Sequence, residues 1–173
     1  KGHTVLLDAC RQLRDRGVPF QCWIVGKGRL RSPIQKQIRE LGLGDDVKLL
    51  GPLRSGEVLE CYHRVHASVL PCVEGSDGNK DGLPVSIVEA LAWGLPIITT
   101  PMTGIPEVVE HEKNGLLVPF RDAGRLAEEM ERLVNDGALY ENLRAQTRPS
   151  VAAMFDMEKT ITQMEQCFKE SLS

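Results

Sequence analysis

The stretch Asp81-Gly82-Leu83-Pro84-Val85-Ser86-Ile87-Val88-Glu89-Ala90-Leu91-Ala92-Trp93-Gly94-Leu95-Pro96 carries most of the chemical promise of this chain. Gly82 permits a tight backbone turn, and Pro84 suits a first helical turn, where its missing N–H is no loss. The N–H groups of Val85 and Ser86 then fall among the unpaired donors of a helix start. The positive pole of the helix dipole lies there too, so the turn is a ready seat for an anion such as a diphosphate. Ser86 and Glu89, three positions apart, can face the same cleft. A carboxylate at Glu89 can accept two hydrogen bonds from a vicinal diol such as a ribose. Both acids also suit plainer roles: Glu89 as a solvated helix residue, despite its apolar neighbours, and Asp81 as a turn or helix-capping acid.

The elements that must position these residues alternate along the chain. Thr4 to Arg16 places Leu6, Ala9, Cys10 and Leu13 on one helix face and stops at Gly17. Phe20 to Val25 reads as a buried strand ended by Gly26, and Leu30 to Leu41 as an amphipathic helix. Val47 to Leu50 is a strand, Glu57 to Arg64 a helix that Ser55 can cap, and Ala67 to Leu70 a strand. Pro84 to Trp93 is helix, Ile97 to Thr100 and Leu116 to Val118 are strands, and helices near Ala123–Asn135, Leu139–Arg148 and Met157–Leu172 follow. Strands separated by single helices predict a doubly wound, Rossmann-like α/β fold: a parallel sheet with helices on both faces. In such sheets ligands bind beyond the carboxyl ends of the strands, which singles out the Gly/Asp/Asn-rich loop Val73 to Leu83. The chain enters on a helix, whereas a parallel sheet usually puts a strand before its first crossover helix. The expectation is a strand upstream of Lys1, with a sheet one strand shorter as the alternative.

Composition narrows the function classes. The chain has 173 residues, 42% hydrophobic and 26% charged, one domain's worth with enough apolar side chains for a core. Its 21 Lys+Arg against 24 Asp+Glu leave a net charge of -3, which offers no footprint for nucleic acid. No apolar run approaches the ~20 residues of a membrane span, and no secretory signal opens the chain. Cys10, Cys22, Cys61, Cys72 and Cys167 lack C-x-x-C spacing and read as thiols of a reducing cytosol, mostly in the core. His3, His63, His66 and His111 are dispersed, which suits surface or packing roles. Trp23 and Trp93 sit in apolar runs and are expected in the core.

The same residues resemble the retaining glycosyltransferases of family four, in the carboxyl-terminal half of a GT-B enzyme. Asp81 and Glu89 stand eight positions apart, and Glu89-Ala90-Leu91-Ala92-Trp93-Gly94-Leu95-Pro96-Ile97-Ile98 follows the family's Glu-Ala-hydrophobic-Ala-x-Gly-x-Pro-hydrophobic run. Gly104-Ile105-Pro106-Glu107-Val108-Val109, Asn114-Gly115-Leu116-Leu117-Val118, Ile24-Val25-Gly26-Lys27-Gly28 and the opening Lys1-Gly2-His3 resemble further family pieces in their order. The first acid is Asp81 where Glu is commoner.

The resemblance implies a nucleotide diphosphate sugar as donor and a hydroxyl acceptor, a glycan or lipid-linked glycan. It names Asp81 and Glu89 as the catalytic acids. Glu89 would hold the ribose, and Asp81 with the backbone of Gly82 and Leu83 the sugar. The amides of Val85 and Ser86 and the ammonium of Lys1 would neutralise the diphosphate, so that no metal or other cofactor is needed. Leu53 would border the base. The chain is thus expected to be the donor-binding half of a hexosyltransferase, inactive without an amino-terminal domain, in a cytoplasmic enzyme that can also sit peripherally at a membrane. A stand-alone nucleotide-sugar-binding module and another GT-B enzyme, such as a sugar epimerase, remain the alternatives. Two further expectations follow: a Glu89 carboxylate exposed and free of Lys or Arg, and an apolar stripe of Ile161, Met164 and Phe168 on the terminal helix.

Overall fold

Helix and strand alternate through most of the chain, in the order α1 His3–Asp15, β1 Cys22–Val25, α2 Arg31–Glu40, β2 Val47–Gly51, α3 Ser55–Arg64, β3 Ser68–Leu70, α4 Val85–Ala92, β4 Ile97–Thr99, α5 Ile105–Val108, β5 Gly115–Leu117, α6 Ala123–Asn135 and α7 Gly137–Met154. The structure, a computed structural model, describes residues 1–75, 78, 82–155 and 161. The expected sugar-binding acid Asp81 lies outside the described residues. So does the terminal stretch Met157–Leu172, apart from Ile161, which is exposed.

Every strand pair is parallel. β1 runs beside β2 with Cys22 opposite Val47, and the register shifts after Ile24 so that Val25 faces Gly51. β4 lies between β3 and β5, with Ile97 opposite both Ser68 and Gly115. The strands hydrogen-bond as a pair and a triplet, not as the single sheet expected from the alternation. A ladder needs a neighbour about 4.8 Å away. Among the described residues no strand pairing links the two sheets, and a shared apolar cluster is what joins them.

That packing shows how the faces are covered. Side chains alternate across a strand, and each strand of the triplet divides its residues between two apolar clusters. Val69, Ile98 and Leu116 join the cluster built on Leu6, Leu7, Cys10 and Leu13 of α1, Ile34 and Ile38 of α2, Leu126 of α6 and Leu143 of α7. Their neighbours Leu70, Ile97 and Leu117 join the other, with Ile87 and Leu91 of α4, Ile105 and Val108 of α5 and Val151 of α7. Cys22 and Ile24 of β1 belong to the first cluster, which therefore spans both sheets. Helices cover both faces, and the fold is the Rossmann-like α/β arrangement expected.

Several boundaries move for physical reasons. Pro84 sits at the N-cap of α4, with φ -62° and ψ 125°, and not inside the first turn. Ser55 is the first residue of α3. The cap comes instead from Glu57, whose Oε2 accepts the Arg54 N–H at 2.7 Å. α7 continues through Pro149, although proline removes a ladder bond. Around it, Ser150 Oγ donates to the Thr147 carbonyl at 2.6 Å and receives Asn114 Nδ2 at 2.8 Å. Asn114 also donates to the Val108 carbonyl and accepts the Glu110 N–H, each at 2.8 Å, so a buried amide ties the loop before β5 to α7. Gly115 is obligatory beside it: a Cβ would lie 2.7 Å from the Ile97 carbonyl oxygen. Trp23 and Trp93, expected in the core, are only half-buried. Each packs at a helix boundary, Trp23 beneath the Arg64 guanidinium at 4.9 Å and Trp93 against Tyr62 and His63.

Candidate functional site

Among the described residues, the candidate positions follow the carboxyl ends of parallel strands or approach them. After β1, the Gly26 N–H donates to the Gly51 carbonyl at 2.8 Å, which sets the Gly26–Gly28 turn beside the end of β2 and the half-buried Leu53. After β3, Pro71 meets Gly2 so closely that a Cβ there would fall 1.8 Å from the Pro71 carbonyl oxygen. Gly2 also has φ +63°, so glycine alone lets the start of α1, and with it Lys1, approach this edge.

The segment Val73 to Leu83 is held at both ends from the β4–α5 connection. Thr99 Oγ1 donates to the Leu70 carbonyl at 2.8 Å, and the buried Thr100 Oγ1 to the Cys72 carbonyl at 2.7 Å. At the far end, Thr103 Oγ1 at 2.6 Å and the Gly104 N–H at 3.3 Å both donate to the Gly82 carbonyl. Thr103 does so with φ +41°, a strained value for a β-branched residue. This two-ended anchorage is invisible in the spacing of the acids. A cavity of about 390 Å³ opens on the same edge, lined by Val73, Glu74, Met102, Thr103, Phe120 and Arg121.

From Gly82 the chain passes through the Pro84 cap into α4. The Ile87 N–H returns to the Pro84 carbonyl at 2.9 Å, which leaves the N–H groups of Val85 and Ser86 outside the helix's own ladder. Val85 is 70% exposed and Ser86 is exposed beside it, so the helix start is open. Glu89, one turn on, is exposed, and among the described residues it pairs with no Lys or Arg. Among the described residues its side-chain partner is Tyr62 of α3, whose phenol donates to Glu89 Oε2 at 3.2 Å. Burial, then the charge and hydrogen bond of Glu89, pushes the Tyr62 phenol up to about 12, so it stays a neutral donor. Sequence reasoning missed Tyr62, because nothing in its own run of residues ties it to a carboxylate 27 positions later.

The plainer side chains keep plain roles. His111 Nδ1 accepts the Leu117 N–H at 3.0 Å, and His63 packs edge-on against Trp93 at 4.6 Å. Among the described residues His3 Nδ1 is buried without a hydrogen-bond partner, and burial holds its pKa below the usual value. Cys10 and Cys72 are buried, and Cys22 and Cys61 are half-buried. Among the described residues no cluster of His, Cys, Asp and Glu is placed to hold a metal ion, and no helix is long and apolar enough to cross a membrane.

Parallel strands covered on both faces, with an open helix start and an exposed acid at their carboxyl edge, define a Rossmann-like α/β unit. The chain belongs to the family described as glycosyl transferases group 1, which it matches over residues 1–149. It is 40% identical, over 130 residues, to the putative colanic acid biosynthesis glycosyltransferase WcaL of Escherichia coli strain K12, covering 75% of this chain and 32% of that protein. It is 37% identical, over 133 residues, to the amylovoran biosynthesis glycosyltransferase AmsK of Erwinia amylovora, covering 77% of this chain and 33% of that protein. The chain thus spans about a third of the length of these curated relatives. Among solved structures, sucrose-phosphate synthase from Thermosynechococcus elongatus superposes with a TM-score of 0.82 at 28% identity, over 99% of this chain and 42% of that one. Anabaena Alr3699/HepE, solved with UDP and glucose, superposes with a TM-score of 0.82 over 98% of this chain and 45% of that one. At 23% identity its likeness speaks for the fold, a unit of the GT-B type.

Proposed function

We propose that this chain is the donor-binding half of a retaining hexosyltransferase, which takes a nucleotide diphosphate sugar and passes the sugar to a hydroxyl acceptor held by a further, amino-terminal domain. The observation that carries the reading is Glu89: an exposed carboxylate without a cationic partner among the described residues, one turn beyond the open start of α4. In this reading Glu89 accepts hydrogen bonds from the ribose diol. The N–H groups of Val85 and Ser86, with the dipole of α4 and the ammonium of Lys1, offset the charge of the diphosphate as the bond from its oxygen to the anomeric carbon breaks. Asp81, with the backbone of Gly82 and Leu83, holds the sugar, and Leu53 borders the base. Both acids contact the donor, Glu89 at its ribose and Asp81 at its sugar. Supporting this class of donor are the family membership, relatives whose names describe polysaccharide biosynthesis, and a mycobacterial relative, 30% identical, named as a GDP-mannose-dependent mannosyltransferase.

Calorimetric titration of the chain with UDP, GDP, UDP-glucose and GDP-mannose tests the assignment. Glu89→Gln should weaken every nucleotide that binds by roughly ten- to a hundredfold, as expected for a lost charge-assisted contact, with little change in melting temperature. Asp81→Asn should spare the free diphosphate and weaken its sugar-bearing form. Binding unaltered by Glu89→Gln would remove the ribose assignment. Equal losses of both ligand forms in Asp81→Asn would make Asp81 a loop-shaping residue.

A further inference from the structure

We propose that Tyr62 is a positioning residue for Glu89: its phenol, reaching from α3 to α4, holds one carboxylate oxygen so that the rest of the group is presented to a ribose diol. The inference rests on the donor-site reading above and adds to it a residue that no motif contains.

The geometry begins with the problem Glu89 poses. A glutamate on an exposed helix face samples several rotamers, and binding a diol through both oxygens requires one of them. A Lys or Arg partner would fix the rotamer but would also occupy the negative charge that the ribose hydroxyls need. Tyr62 fixes it with a neutral donor, at 3.2 Å from Oε2. One phenol O–H takes one of about four lone-pair positions on a carboxylate, which leaves room for two ribose hydroxyls.

Tyr62 is itself held. Its ring lies 6.4 Å from that of Trp93, at an interplanar angle of 27°. Trp93 closes α4, its N–H donating to the Glu89 carbonyl at 3.0 Å, and it receives the edge of His63 at 4.6 Å. His63 follows Tyr62 on α3, so two consecutive α3 side chains grip the residue that ends the helix bearing Glu89. A side chain with two rotatable torsions, packed on a second ring, loses little freedom when it orients the carboxylate. Tyr62 therefore presets the acid before any nucleotide arrives.

The discriminating probe is the ribose itself. The chain is titrated with UDP and GDP and with their 2′,3′-dideoxy counterparts, in wild type, Tyr62→Phe, Glu89→Gln and the double variant. Phenylalanine keeps the ring and its Trp93 contact and removes only the O–H. Wild type should prefer the ribose form of the nucleotide it binds. Tyr62→Phe should lose about three- to tenfold in affinity for that form and nothing for the dideoxy form. Glu89→Gln should abolish the preference, and adding Tyr62→Phe to it should change nothing further, since the two act as one unit. If Tyr62→Phe weakens both forms equally, or leaves both unchanged while Glu89→Gln loses the preference, the positioning role is overturned and the donor reading stands. If wild type binds neither nucleotide, or does not distinguish ribose from dideoxyribose, the donor reading fails and takes this inference with it. Should Tyr62→Phe fold poorly, His63→Ala with Tyr62 intact is the second variant. Loosening the Trp93 grip should then reduce the ribose preference in part, and an unchanged preference in that variant counts against the proposal.

Discussion

A carboxylate that binds a neutral diol must stay charged, accessible and still, and few side chains can steady it without spoiling one of the first two. In the role proposed for Glu89, Tyr62 would meet that need because its phenol remains protonated: burial first, then the nearby Glu89 charge, raises it from 10.0 to about 12. The consequence is measurable by ultraviolet titration, taking wild type minus Tyr62→Phe as the Tyr62 signal. Its midpoint should lie near pH 12. Glu89→Gln should lower that midpoint yet leave it above 10.0, since burial is the larger cause and is unchanged. Because the folded value exceeds the unfolded one, the unfolded chain gives up this proton first. The stability Tyr62 contributes is full below pH 10.0 and fades as pH rises toward 12. A Tyr62 signal near pH 10.0 would mean that the phenol faces water and does not hold the acid.

Between elements, the β4–α5 connection matters more for the site than its short strand suggests. Threonine is at home in strands, but Thr99, Thr100 and Thr103 also turn their hydroxyls onto the carbonyls of Leu70, Cys72 and Gly82. One connection thereby anchors the loop where it leaves β3 and again where it enters α4. Thr100→Val keeps the buried shape and removes one donor. It should lower stability by about 1–3 kcal/mol in urea denaturation, the scale of a lost buried hydrogen bond. The same variant should weaken nucleotide diphosphate binding less than Glu89→Gln does, because it loosens the loop root and leaves α4 intact. Undiminished stability would show that the loop is held by its other contacts alone.

The chain as a body is organised by which cluster each strand side chain enters. Ile98 belongs to the cluster under α1 and α6, Ile105 to the one under α4 and α5, and both are fully buried. Trimming one methyl from each, as Ile98→Val and Ile105→Val, should destabilise by about 0.5–1.5 kcal/mol apiece. Because the two side chains sit in different clusters, the double variant should equal the sum within about 0.5 kcal/mol. In a protein of this size each kcal/mol lowers the melting temperature by roughly 2–4 °C, well within reach of a thermal scan. A large departure from additivity would mean that the two faces relax as one core.

Much of this architecture is legible in the chain alone, because its signals are local. The apolar periodicity of Leu6 to Leu13, the glycine and proline punctuation, and the single helices between strands set the element types and the parallel sense, which needs no knowledge of distant residues. The position of Glu89 is legible for the same reason: its place one turn into a helix with an open start depends on its immediate neighbours. Pairings between elements are a different matter. Tyr62 meets Glu89, Thr103 meets Gly82 and Asn114 meets Ser150 only after helices and strands have packed. The division of the strands into a pair and a triplet likewise depends on which chains lie side by side. A helix that passes through Pro149 is similarly set by its surroundings, since side chains outside its own sequence steady the turn that proline weakens. Local propensity depends on bonded neighbours, whereas the contacts that orient a carboxylate depend on how two helices pack, and that is settled by the whole set of buried side chains at once.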